Sequence, residues 1–129
     1  MSVLRSTYYT IRFPITDTRP ESMFALYCRE FGIDGDIGSV EVVTLFANAL
    51  RDYLTARLPE HAFASFCFAL ISDRSIDAVL ASSLPELRPV IWDCIDIAWL
   101  ATSAHFDTFK MDLSRVLELL DVRHTVTPA

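Results

Sequence analysis

Glycine is scarce in this chain of 129 residues, and all three glycines fall in one stretch, Phe31-Gly-Ile-Asp-Gly-Asp-Ile-Gly-Ser39. The spacing G-x-x-G-x-x-G fits neither the dinucleotide fingerprint nor the phosphate-binding P-loop, and no lysine follows it. Lysine is scarcer still: Lys110 stands alone among eleven bases, the other ten being arginines. With 17 acids the formal charge is −6, a field that works against nucleic acid and anionic membrane and favours a basic protein partner. No segment reaches the ~18 apolar residues of a membrane span. The opening MSVLRSTYYTIRF lacks the continuous apolar core of a secretory leader. Cys28, Cys67 and Cys94 are odd in number, far apart and outside any C-x-x-C pair, which argues against a disulfide framework or a zinc site. The expectation is a cytoplasmic protein without cofactor or membrane partner.

Apolar residues are plentiful, at 52% of the chain, with mean hydropathy +0.33. That excludes disorder for most of the chain, and the length suits one domain over residues 1–129 with a single substantial core. The slight apolar surplus raises the possibility of a homo-oligomer.

The elements read as follows. Ser6 to Ile15 alternates with period two, a short extended segment in which Pro14 marks an edge or an end. Asp17 or Thr18 caps a helix with Pro20 in its first turn, a stripe of Met23, Phe24, Tyr27 and Phe31, and Gly32 as its left-handed C-terminal cap. A second helix starts at Ser39 as N-cap and runs to Leu58, before Pro59. Its apolar arc is too wide for one interface, while Glu41, Thr44, Asn48, Arg51, Asp52 and Thr55 share a polar sector. Glu60 to Ser72 reads as a helix, with the run Phe66-Cys-Phe68 leaving a buried strand open. Ser72 or Asp73 caps a short helix closed by Pro85. Val90 to Ala101 is apolar save for Asp93 and Asp96, the pattern of a buried central helix. Ala104 to Asp121 is a clean amphipathic helix, and residues 122–129 form a loose tail. The fold class is mainly α, a bundle of five or six helices with a short N-terminal extended segment. The alternative is α+β, with that segment pairing to Phe63–Ile71 or Val90–Ala98.

Candidate chemistry is sparse. Asp34 and Asp36 occupy the first and third positions of a calcium loop, but Ser39 and Leu45 stand where glycine and a bidentate glutamate belong. The stretch is therefore a helix connector bearing acids. Asp93 and Asp96 lie about 60° apart on a helix and, if buried, need partners or raised pKa values. With His105 and Asp107 downstream they form a conceivable acid–base or metal cluster, against which stands their pairing with arginines or simple exposure to water. Trp92 and Trp99 read as core. The leading expectation is a small acidic, non-catalytic protein-binding module of the inhibitor, immunity or adaptor kind, touching a basic partner through Asp34, Asp36, Glu41 and Asp52. The alternatives are a structural homo-oligomer closing the arc of the second helix, or a small enzyme using Asp93, Asp96 and His105.

Overall fold

A computed structural model describes residues 19–35, 37–96 and 106–125. The alternating segment Ser6–Ile15, the cap candidates Asp17 and Thr18, and Asp36, Trp99 and His105 lie outside the described residues. Six helices account for the described chain: α1 (Pro20–Glu30), α2 (Ser39–Leu54), α3 (Glu60–Ser72), α4 (Arg74–Ser83), α5 (Leu87–Ile95) and α6 (Phe106–Thr125). The protein is a mainly α helical bundle, and both segments considered as strand partners lie largely in helices, Phe63–Ile71 in α3 and Val90–Ile95 in α5.

Local chemistry sets most of the boundaries. Arg19 is the N-cap of α1, with Pro20 at the first helical position, where its missing N–H costs nothing. The helix ends at Gly32, whose φ of 69° lets the Ile33 N–H reach back to the Cys28 carbonyl at 2.8 Å. Gly38 is the N-cap of α2 in place of Ser39, because the Glu41 carboxylate turns back and accepts its backbone N–H at 2.8 Å. Asp73 caps α4 by accepting from the Ser75 and Ile76 N–H groups at 2.9 and 3.1 Å.

The second helix stops at Leu54, one turn short of the residue before Pro59. Its last carbonyls are closed by a Schellman turn: Arg57 N–H to the Asp52 carbonyl at 2.8 Å and Ala56 N–H to the Tyr53 carbonyl at 3.0 Å. This turn puts Ala56 at φ 64°, a left-handed conformation held by a residue with a Cβ. Leu58 then folds under the turn and is buried.

The core is built around α2 and α3. The middle of α2, Val42 through Leu50, is buried on every side, as α1, α3, α4 and α6 all pack against it. The arc too wide for one interface is thus used up within a single chain. The third helix buries Phe63, Phe66, Cys67 and Leu70 at helical spacing, and its largest interface is with α5. Aromatic rings tie the layers together. Tyr27 of α1 packs on Phe66 at 5.1 Å, and Phe63 of α3 stacks on Tyr53 of α2 at 4.9 Å and lies 6.2 Å from Phe46. Such pairs contribute beyond the area they bury.

The helix over Val90–Ala101 is a correction. It starts earlier, at Leu87, and ends at Ile95, with residues 97–101 outside the described range. Only Leu87, Ile91 and Cys94 are buried, so α5 is a peripheral helix with one inward stripe. The last helix runs through Thr125, so the first four residues of the expected tail are helical.

The two left-handed positions form a matched pair for a stability measurement. A Cβ added at Gly32 meets nothing within 4 Å, so Gly32→Ala changes only backbone preference. Urea unfolding should show Gly32→Ala losing, and Ala56→Gly gaining, about 1 kcal/mol each. A neutral or destabilising Ala56→Gly contradicts the turn as described.

Candidate functional site

Among the described residues, three places draw polar side chains together, and one of them faces solvent in a concavity. The first is the connector between α1 and α2. Gly32 and Gly35 both take positive φ, at 69° and 87°, and turn the chain. Asp34 is exposed on it, while Glu41 is half-buried and engaged in capping its own helix. The connector is therefore a joint with one exposed described acid rather than a convergent set. Among the described residues no three of His, Cys, Asp and Glu come together as a metal-binding group.

The second place is the polar sector of α2, and here the surface reading of Asp52 is overturned. Asp52 and Asn48 are fully buried, and Thr44 is 6% exposed. These three residues are spaced one helical turn apart, so they form a stripe, and the neighbours of α2 cover it. The stripe bonds along its own helix, with the Thr44 hydroxyl donating to the Val40 carbonyl and the Asn48 amide to the Thr44 carbonyl, both at 2.8 Å. At its foot the Tyr27 hydroxyl reaches across from α1 and donates to Asp52 Oδ2 at 2.8 Å. Burial, then the Asp52 charge and this bond, drives the Tyr27 phenol far above the ordinary tyrosine range, against a smaller opposing pull from the Arg57 guanidinium. Tyr27 therefore remains a donor at any ordinary pH. On the next position of the helix, burial and the Glu60 carboxylate push Tyr53 up to about 12, and the Lys110 ammonium sits 5.6 Å above its ring.

The third place is the outer face of α5, and it reverses the expectation for Asp93 and Asp96. Both are exposed, and Trp92 between α5 and solvent is 45% exposed rather than core. The strip considered as a buried acid pair is in water. Trp92 and Asp93 line a concavity of 560 Å³ together with Ala81, Pro85, Arg88 and Pro89. The end of α4, the α4–α5 connector and the first turns of α5 build it. Pro85, Pro89 and Trp92 recur at three- to four-residue spacing, which puts them on one side of the chain. One flank is fixed by an ion pair: Arg88 Nε donates to Asp77 Oδ1 at 2.9 Å and Arg88 Nη2 to Asp77 Oδ2 at 3.5 Å. This two-point contact holds the guanidinium against α4 and matches its charge.

The helices also bring together two residues that looked unrelated in sequence. Cys67 of α3 and Cys94 of α5 are both buried, and they lie close enough for each to influence the other's thiol. Burial first, then the neighbouring Cys94, raises the Cys67 thiol well above its usual value, so it stays protonated and packs as a small hydrophobe.

No protein-family model matches the chain, and no curated protein or solved structure is similar to it. The fold and this face define a mainly α six-helix bundle, among the described residues, carrying an aromatic and acidic concavity.

The buried bond between α1 and α2 is testable by a double-mutant cycle in urea. Tyr27→Phe should cost about 1–2 kcal/mol in the native background, and measurably less in an Asp52→Asn background, where the carboxyl partner is gone. A difference below about 0.3 kcal/mol, the limit of simple additivity, contradicts coupling between these two side chains.

Proposed function

We propose that this protein is a small acidic, non-catalytic binding module, of the inhibitor, immunity or adaptor kind, that acts on a basic protein partner. The observation that supports it is Trp92, a large aromatic left 45% exposed at the rim of the α4–α5 concavity beside the exposed acids Asp93 and Asp96. Tryptophan is the side chain most enriched among interface anchors, and an exposed one in a concave, charged setting is a ready contact. The formal charge of −6 supplies the long-range attraction toward a basic surface.

The contact residues shift accordingly. Asp52 is committed to the interior and Glu41 to its helix cap, so neither is offered to a partner; Asp34 remains exposed. The enzyme reading loses its motive, because the acids that prompted it are on the surface instead of in an apolar environment. The homo-oligomer reading loses the unpaired arc of α2, which α1, α3, α4 and α6 cover.

The experiment is affinity capture from the native host at low salt, followed by titration of the purified partner. The expected partner is basic, and its affinity falls at least about tenfold between 50 and 500 mM salt as the charges are screened. A partner of acidic surface, or an affinity flat across that range, contradicts the proposal.

A further inference from the structure

The concavity on α4 and α5 has a more specific chemistry than general acidity. Part of its lining is small and rigid: Ala81 lies in the last turn of α4, while Pro85 and Pro89 are fixed by their rings. Trp92 presents an indole on one side, and Asp93, the next residue on α5, brings a carboxylate to the same space. Asp96 follows one turn further along the same face and is exposed. Arg88, the one cation among the lining residues, is engaged by Asp77 in two bonds, so it adds no unmatched positive charge.

An aromatic face next to a carboxylate, with proline walls, suits a planar cation. A guanidinium stacks on indole and pairs with a carboxylate through two parallel N–H bonds, whereas an ammonium is a strongly hydrated point charge that does neither as well. Resting on the reading of a basic partner, we infer that the Trp92–Asp93 concavity is the seat of an arginine side chain contributed by that partner. Trp92 stacks on the guanidinium, Asp93 accepts its N–H groups, and Asp96 adds attraction at the mouth.

The test uses hexa-arginine peptide as probe, with hexa-lysine as comparison, and follows the Trp92 indole N–H signal by NMR at low salt. Substitution of Trp92 assigns its signal apart from that of Trp99. Hexa-arginine is expected to shift the Trp92 signal and to bind several-fold tighter than hexa-lysine. Asp93→Asn, read on the indole, and Trp92→Ala, read on the backbone amides of the same turn, should each weaken it by about threefold to tenfold, in line with an exposed cation–π contact and a single surface charge pair. Both residues are exposed, so the variants should retain the dispersed spectrum of the folded protein. Salt-sensitive binding that ignores both substitutions, or equal affinity for the two peptides, overturns the arginine seat and leaves the basic partner standing. No binding of either peptide at low salt overturns both.

Discussion

A carboxylate with no exposure sits at the foot of the central helix, and its hydrogen bond from Tyr27 ties that helix to α1. Placing Asp52 in the interior costs desolvation that only hydrogen bonding repays. Its neighbour along the stripe, Asn48, is also fully buried. One such bond comes from α1, where Tyr27 packs its ring on Phe66 and its hydroxyl donates to Oδ2 at 2.8 Å. Sliding α1 by one turn on α2 breaks this bond together with the Tyr27–Phe66 ring contact, so polar and aromatic contacts jointly fix the register of α1. The Schellman turn adds to the same point, since Arg57 and Leu58 both donate their backbone N–H to the Asp52 carbonyl. One residue is therefore held by its side chain to α1 and by its carbonyl to the turn that starts α3.

Much of the fold was legible in the residues that start and stop helices. Gly32, Pro59 and Pro85 act through backbone geometry and Asp73 through a side-chain cap, all within one turn, so their effects follow from sequence without knowledge of neighbours. Burial was harder to read. A helical wheel sorts residues by side, but it does not say whether the polar side meets water or another helix. In α2 four neighbours enclose even the polar stripe; in α5 one main interface buries Leu87, Ile91 and Cys94 and leaves Trp92 and Asp93 outside. The two helices exchanged the roles their composition suggested. The sequence window also misled: residues 90–101 look apolar throughout because they run past the end of α5 at Ile95. The contact of Cys67 with Cys94 had no local signal at all, since it exists only once α3 and α5 are packed.

The candidate site inherits this exchange. Polar residues of α2 serve the interior, so the surface on which a partner could act moves to the α4–α5 face. That face is peripheral, and the Asp77–Arg88 pair braces it. A binding module benefits from this separation, because its contact residues are free to suit a partner without loss of the fold.

The central claim is that Tyr27 donates to the buried Asp52 carboxyl group, and proton NMR of the Tyr27 hydroxyl tests it most directly. A hydroxyl held in such a bond exchanges slowly with solvent and gives its own resonance, close in space to α2 side chains and unchanged between about pH 6 and 9, since the phenol does not titrate there. That resonance is the predicted result. A Tyr27 hydroxyl exchanging as fast as free tyrosine, or a phenol titrating near its ordinary value of about 10, would contradict the account.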